Sequence, residues 1–314
     1  MLLAPETLKS DKTSAVHLPK FLIVGAARSA TTSIYHALRK HSDIFLNPSL
    51  KESNFLSEIE DLKGTENFKP LVINTIDEYS RLFQDAHECQ IVGEVCVSYL
   101  YYYEKTIRNI MRHIGRNVKI VICLRNPAQR AFSNYMLHVR DGVESLSFDE
   151  ALVSEPRRIR DGWWWGYHYV NVSRYTDAVI AFINAFGRES VLIILFEDFA
   201  ADPNSEISKI CRFLGISEIN NLCDSMWHNK SGIPKVPNLT KRIQDRGFPF
   251  QILKAALPKG LRRKLSRMLL ETSIARVEMP QIAQDALNKL FHDDVIRLEQ
   301  SLGIPLAATW RFQR

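Results

Sequence analysis

The sequence predicts an α/β fold: one domain over residues 19–314, with a central parallel sheet flanked by helices, after a flexible N-terminal tail over residues 1–18. Three observations carry this expectation. Short apolar runs alternate with stretches of helical periodicity, the pattern of a sheet covered by helices. The runs are dense in β-branched and apolar residues at every position, as strands buried on both faces are. The first run opens into a turn of small residues and a helix start, a strand-loop-helix of P-loop type.

In chain order, the first strand is Phe21 to Val24. It runs into Gly25, Ala26, Ala27, Ser29 and Ala30, with Arg28 inside the turn, and then into the hydroxyls of Thr31, Thr32 and Ser33. A P-loop carries Gly at its first and sixth positions, followed by Lys and then Ser or Thr, so that backbone N–H groups and the helix N-terminus wrap phosphate oxygens. Here Gly25 holds the first position and Ala30 the sixth, Thr31 stands where the lysine would, and Thr32 supplies the hydroxyl. The loop reads as an anion site without the P-loop lysine. No aspartate ends the other strands to hold magnesium, so phosphoryl transfer from ATP would lack both of its usual cationic partners.

The second strand is Ile91 to Cys96 and the third Lys119 to Leu124. The third ends in Arg125, where an NTPase often places an aspartate. Asn126 is a helix N-cap and Pro127 the first helical residue. On that helix Arg130, Ser133 and Asn134 share a face, and Ala131, Phe132, Tyr135, Met136 and Val139 supply the side expected to be buried. Arg125 and Ser133 are placed to clasp a second phosphate. Two anion sites at two strand ends of one sheet imply a ligand with two separated anionic groups, because ligands bind outside the carboxyl ends of such strands.

Further along, Ser147 and Glu150 form a capping box. The fourth strand is Val191 to Phe196. Asp202 and Pro203 start a helix that stops at Gly215. The stretch between Asp245 and Glu271 contains no acidic residue but holds Lys254, Lys259, Arg262, Arg263, Lys264 and Arg267, with Leu261, Leu265, Met268 and Leu269 at helical spacing. It reads as a basic amphipathic helix with a solvated face, or a patch for a membrane or polyanion. The last helix, Gln281 to Leu302, aligns Leu287, Leu290, Phe291, Leu298 and Leu302 as its core face.

Composition excludes several classes. A hydrophobic fraction of 46% and a charged fraction of 24% do not fit a disordered, collagenous or coiled-coil chain. No apolar run is long enough to cross a bilayer. The start MLLAPETLKSDKTS has no basic segment followed by an apolar core, and the five cysteines show no C-x-x-C pairing. These features point to the cytoplasm, without a transmembrane segment or a metal. The excess of 41 Lys and Arg over 35 Asp and Glu suits an anionic ligand. No nucleic-acid partner is expected, and a homodimer stays open.

FLIVGAARSATTSIYHALRKH and ICLRNPAQRAFSNY together resemble the 5′-phosphosulfate loop and the 3′-phosphate motif of the sulfotransferases that use 3′-phosphoadenosine 5′-phosphosulfate (PAPS). KESNFL, GEVCVSYL, ILFEDF, FLGI and HNKSGIPK follow in the family's order, so the resemblance covers nearly the whole chain. It is similar to bacterial and carbohydrate-sulfotransferase members more than to the small-phenol enzymes. The resemblance implies that Gly25 to Ser33, including Ala27, Arg28, Ser29, Ala30, Thr31 and Thr32, cradle the 5′-phosphosulfate. It further implies that Arg125 and Ser133 hold the 3′-phosphate, and that Asn229, Lys230, Ser231 and Gly232 close over the nucleotide. The product would be 3′,5′-ADP, and the acceptor a hydroxyl, or less commonly an amine, of a sugar, lipid or small natural product.

Relatives place Lys at the Arg28 position and Gly at the Ala30 position. Arg keeps the charge to stabilise a leaving oxygen but is a poor proton donor. A methyl at Ala30 implies a turn that avoids a Gly-only conformation. Val95 replaces a lysine sometimes found after the Gly-Glu of GEVCVSYL. A transferring sulfuryl group carries less negative charge than a phosphoryl group, which accounts for the absent lysine and magnesium ligands. The attacking hydroxyl must lose a proton to a positioned base, a role the resemblance gives to Glu52. Pairing of Glu52 with Lys51 or Arg28 is the structural alternative, and Glu94, His138 and His168 are rival bases. The aromatic run Trp163 to Tyr169 lines an acceptor cleft or packs in the core, and Trp227 is a candidate to stack on adenine. A P-loop small-molecule kinase and a non-catalytic nucleotide-binding module are the alternative functions. The missing lysine argues against the first, and Glu52 with Arg28 against the second.

Overall fold

The computed structural model describes residues 18–66, 68–88, 90–218, 233–234, 274–275 and 278–312. Of the expected features, residues 1–17 of the tail, the basic helix over 254–267, Trp227 and the Asn229 to Gly232 loop lie outside the described residues. The elements run β1 (Phe21–Gly25), α1 (Thr31–Leu38), β2 (Ile44–Leu46), α2 (Ile76–Arg81), β3 (Ile91–Val95), α3 (Ser98–Tyr101), α4 (Tyr103–His113), β4 (Lys119–Leu124), α5 (Pro127–Arg140) and α6 (Phe148–Arg160). They continue as α7 (Thr176–Phe186), β5 (Val191–Leu195), α8 (Phe196–Ala201), α9 (Pro203–Leu214), a short antiparallel pair β6 (Ile233–Pro234) and β7 (Ile274–Ala275), α10 (Gln281–Leu302) and α11 (Leu306–Thr309).

The expected parallel sheet is present, with five strands in the order β2-β3-β1-β4-β5. Every pairing in it is parallel. Each of the four expected strands forms, because each is an apolar run with neighbours on both faces: β1 is buried throughout, and β4 at every position after Lys119. The ends differ slightly. Cys96 leaves the sheet after β3, and Phe196 starts α8 instead of ending β5. Strand β2, the fifth, is three residues long, too short to register as a periodic pattern. From β1 the chain passes to β2 and β3 on one side and then to β4 on the other, which makes the carboxyl end of β1 the switch point where a ligand crevice opens.

Gly93 in β3 lies beside Phe21 in β1, and a Cβ added there would stand 2.1 Å from the Phe21 ring. The ring folds over the glycine and fills the space that a side chain would take. Gly93→Ala is therefore an overpacking change at the centre of the sheet, expected to destabilise by about 1 to 3 kcal/mol. A urea midpoint within error of the wild type would contradict it.

The helix signals act as expected. Asn126 accepts from the Gln129 amide at the start of α5, Ser147 and Glu150 complete a capping box on α6, and Asp202 accepts from the Ser205 amide on α9. Gly215 ends α9 in the left-handed conformation at φ 74°. Two expectations need correction. Leu290 is 47% exposed, and the buried stripe of α10 is Leu287, Phe291, Val295, Leu298 and Leu302. At 100° per residue Leu290 falls about 100° from the centre of that stripe. On α5 the polar face is buried as well. Arg130 donates to the Tyr169 carbonyl at 2.7 Å and to Ser173 Oγ, and Asn134 donates to the Gly166 carbonyl at 2.6 Å. Tyr135 and Val139, expected inside, are only half-buried. The helix packs against α10 and is tied to the 166–173 segment.

Candidate active site

The loop after β1 is shaped by its first residue. Gly25 has φ +143°, and an added Cβ would meet Leu100 Cβ at 2.8 Å and the Val97 carbonyl at 3.1 Å. Only glycine suits both the backbone and the space. The Ala26 amide then donates to the Cys123 carbonyl at 2.6 Å, which ties the loop to β4. Arg28 and Ala30 both take left-handed conformations, with φ 69° and 66°. The expectation that the methyl of Ala30 would force the turn away from such a conformation is incorrect. The turn keeps it, at an intrinsic cost of roughly 1 to 2 kcal/mol for an L residue. Ala30 caps α1 without a side-chain hydrogen bond. The amides of the first turn therefore face outward toward the loop, as an anion requires.

Three side chains singled out in the sequence meet here. Arg28 Nε donates to Ser133 Oγ at 3.1 Å, and Arg125 donates to the Arg28 carbonyl at 3.1 Å. Arg125 sits 4.2 Å over the ring of Phe196, the first residue of α8, while Tyr175 Oη donates to the Arg125 carbonyl at 3.1 Å. Phe196 and Tyr175 thus aim Arg125. Sequence reasoning missed both supports, although the ILFEDF strand end that contains Phe196 was singled out.

The electrostatics are those of an anion site. The Arg28 guanidinium is brought down to about 10 by burial, and next by the positive charges of Arg125, Arg140 and Arg130, with Asp141 alone opposing. Burial also lowers Arg130, which is fully buried. Burial and the neighbouring positive charges both disfavour the charged form of Arg28. Ser29 in the same loop is 1% exposed, and its Oγ has no hydrogen-bond partner. Buried hydroxyls seldom go unpaired. The loop and the arginine cluster fit a nucleotide carrying separated 5′ and 3′ anionic groups.

Glu52 lies after β2, one strand-and-helix unit beyond the loop. Its neighbours fix the backbone: Ser53 Oγ donates to Glu94, Asn54 Nδ2 donates to the Leu71 carbonyl at 2.7 Å, and Ser98 Oγ donates to Asn54 Oδ1 at 2.8 Å. The Glu52 side chain stays partly exposed and pairs with Lys51 at 2.7 Å. Its charge reaches Cys96 at the end of β3, whose thiol is pushed up first by burial, then by Glu94, and then by Glu52. The Ser53 hydrogen bonds to Glu94 set this turn against the later half of β3, the strand beside β1.

The rival bases are all buried. Glu94 is buried, accepts from Ser53, Tyr79 and Tyr99, and is raised by burial despite those hydrogen bonds. His138 is 4% exposed, hydrogen-bonds Tyr169, and is lowered by burial to about 4. His168 is 3% exposed, hydrogen-bonds Tyr101 at 2.8 Å, and is likewise lowered by burial to about 4. Within the aromatic run, Trp165, Tyr167 and Tyr169 are buried. Among the described residues no group of three or more His, Cys, Asp or Glu is arranged to hold a metal ion, and no helix is long and apolar enough to cross a membrane.

Comparison with known proteins places the chain among relatives of one family. The profile of the Sulfotransferase family matches residues 19–220. A crystal structure of a sulfotransferase from Alicyclobacillus acidocaldarius is 33% identical, covers 94% of this chain and 100% of that one, and superposes with a TM-score of 0.71. Human heparan sulfate glucosamine 3-O-sulfotransferase 3B1 is 24% identical over 222 residues, 69% of this chain and 51% of that protein. Mouse carbohydrate sulfotransferase 15 is 19% identical over 280 residues, 74% of this chain and 49% of that protein. The chain spans about half the length of these curated relatives. With the profile match spanning more than half of its residues, the chain belongs to the Sulfotransferase family.

Proposed function

We propose that the enzyme takes its sulfuryl group from PAPS and passes it to a hydroxyl of a sugar, lipid or small natural product. The single observation that carries this reading is the convergence of Arg28, Arg125 and Ser133 on one loop, with the charges of Arg130 and Arg140 close by. PAPS would supply an activated sulfuryl group whose leaving side is a phosphate. The chain's own residues do the rest. The amides from Ala27 to Ser33 bind the 5′ end, and Arg28 offsets negative charge growing on the leaving oxygen. Arg125 and Ser133 hold the 3′-phosphate. Because Arg28 also donates to Ser133, one guanidinium links the two anion sites. Asn229, Lys230, Ser231 and Gly232 would close over the nucleotide, as the resemblance implies. Glu52 receives the acceptor's proton, and no metal takes part.

The test is calorimetry in EDTA. 3′,5′-ADP should bind at least tenfold more tightly than 5′-AMP. Arg125→Ala should remove most of that difference, since hydrogen bonds to charged groups contribute about 1.5 to 3 kcal/mol. Equal affinity for the two nucleotides would eliminate the 3′-phosphate site.

A further inference from the structure

Strand β4 runs into Arg125, and the peptide unit that follows Arg125 is held at both of its polar ends. Tyr175 Oη donates to the Arg125 carbonyl at 3.1 Å, and the Asn126 amide donates to Glu197 Oε1 at 3.0 Å. The second oxygen of that carboxylate accepts from the indole N–H of Trp310 at 3.0 Å. Asn126 is engaged at every polar group. Its Oδ1 accepts from the Gln129 amide at 3.0 Å, its carbonyl accepts from the Arg130 amide at 2.8 Å, and its Nδ2 donates to the Trp310 carbonyl at 2.9 Å. Trp310 comes 184 positions later in the chain, just after α11, and is 3% exposed.

This exceeds what a helix start requires. An N-cap needs only the bond from its side chain to an amide of the first turn, which Gln129 supplies. Glu197 and Trp310 add two bonds from outside the helix, both to the residue next to Arg125. Glu197 also follows Phe196, whose ring lies 4.2 Å from the Arg125 guanidinium. The first two residues of α8 therefore hold Arg125 at two points: Phe196 at the guanidinium and Glu197 at the peptide behind it. A cation fixed in advance loses less freedom on binding, and small displacements of such a group are costly.

We infer that Glu197 and Trp310 are positioning residues for Arg125: through Asn126 they fix the strand end from which its guanidinium reaches the 3′-phosphate, so that the C-terminal segment takes part in selecting the donor. This deepens the proposed donor reading and rests on it. Both residues act through Asn126 and not by contact with the nucleotide. Charge alone gives the opposite expectation for Glu197. A carboxylate near an anion site repels an incoming phosphate, so by its field Glu197→Gln would tighten the binding of any nucleotide. Positioning calls for weaker binding, confined to the ligand that carries a 3′-phosphate. Glutamine brings one acceptor and one donor to a place where both partners, the Asn126 amide and the Trp310 indole, are donors. Trp310→Phe removes the indole donor, and in the double variant the glutamine oxygen can turn to Asn126.

The full chain is titrated calorimetrically with 3′,5′-ADP and with 5′-AMP at about 0.15 M salt, as wild type, Glu197→Gln, Trp310→Phe and the double variant. Glu197→Gln should weaken 3′,5′-ADP about threefold to tenfold, the range for one hydrogen bond, and change 5′-AMP by less than about twofold. Trp310→Phe leaves the bond between Glu197 and Asn126 in place and should lower the preference for 3′,5′-ADP by only about twofold to threefold. The double variant should bind 3′,5′-ADP within about twofold of Trp310→Phe alone, because the second change removes the clash of donors. A merely structural role gives losses that add and that fall on both nucleotides alike. That result overturns the inference, as does 3′,5′-ADP binding that Glu197→Gln leaves unchanged or tightens. Should Glu197→Gln fail to fold, Trp310→Phe decides alone, and an unchanged preference for 3′,5′-ADP overturns the inference. A wild type that binds the two nucleotides equally is a different outcome: it removes the 3′-phosphate site itself, and the inference falls with it.

Discussion

Replacing Arg158 with methionine should lower the unfolding free energy by about 3 to 5 kcal/mol at neutral pH, the range for stripping one partner from a buried ion pair. Arg158 donates twice to Glu144, at 2.7 and 3.0 Å, and the two side chains are only 8% and 2% exposed. Tyr169 Oη adds a third donor at 2.8 Å, and the guanidinium lies 5.1 Å from the rings of both Trp163 and Tyr167. Burial alone would raise the Glu144 carboxyl, but the hydrogen bonds from Arg158, Leu146 and Tyr169 and the Arg158 charge outweigh it and hold the group below its usual range. A depressed carboxyl contributes stability that is present above the unfolded value of about 4.3 and is lost as pH falls through the lower folded value. Removing Arg158 takes away its hydrogen bonds and its charge and leaves burial opposed by Leu146 and Tyr169, so the carboxyl rises from its wild-type position. The variant then takes up a proton earlier on acidification. The gap between wild type and variant, read from urea unfolding, should therefore narrow between pH 7 and about pH 5, and Arg158→Met combined with Glu144→Gln should recover much of the loss. A loss below about 1 kcal/mol, or a gap constant with pH, would mean that the pair acts as an ordinary surface bridge.

That ion pair also shows why part of this molecule was legible in its sequence and part was not. Strands β1, β3, β4 and β5 announce themselves because each is an apolar run flanked by turn residues. The caps at Asn126, Ser147 and Asp202 are local, since each side chain bonds a backbone amide three residues on. Arg28, Arg125 and Ser133 could be singled out because each stands at a recognisable position after a strand. Their mutual arrangement could not. The Arg28 to Ser133 hydrogen bond spans 105 positions, and the placement of Arg125 over Phe196 depends on β4 and β5 lying side by side. The polar face of α5 read as available for ligand, yet Arg130 and Asn134 are consumed by the 166–173 segment. Glu144 and Arg158 gave no sequence signal at all. An acidic residue after one helix and an arginine late in the next are ordinary surface residues until the fold buries them against three aromatic rings.

The same segment connects stability to chemistry. Trp163 to Tyr169 is pinned on one side by Arg158 and on the other by Asn134 and Arg130 of the helix that carries Ser133. The segment that follows α6 is thus fastened to the helix that carries Ser133, part of the motif proposed for the 3′-phosphate.

Substituting Glu52 with glutamine should cut turnover by about two to four orders of magnitude, the range for loss of a general base. The inference draws on position and on elimination. Glu52 follows β2 in a turn set by the Ser53 hydrogen bonds against the later half of β3, beside the strand that presents the phosphosulfate loop. Glu94 is enclosed by Ser53, Tyr79 and Tyr99, while His138 and His168 are buried and lowered to about 4, which makes them weak bases at neutral pH. Gln keeps the shape of Glu and its capacity to accept a hydrogen bond, so the change removes proton uptake and little else. The pair with Lys51 is partly exposed, and its loss should cost no more than about 1 kcal/mol. A group that acts only as the proton leaves should alter turnover and spare nucleotide binding. Measured with an acceptor found by transfer of labelled sulfate into a host extract, the Gln variant should therefore show the kcat loss with an unchanged 3′,5′-ADP affinity. Its thermal midpoint should stay within a few degrees of the wild type. Near-normal turnover would make Glu52 a loop carboxylate serving Lys51. A parallel loss of nucleotide affinity would move it from proton transfer to the donor site.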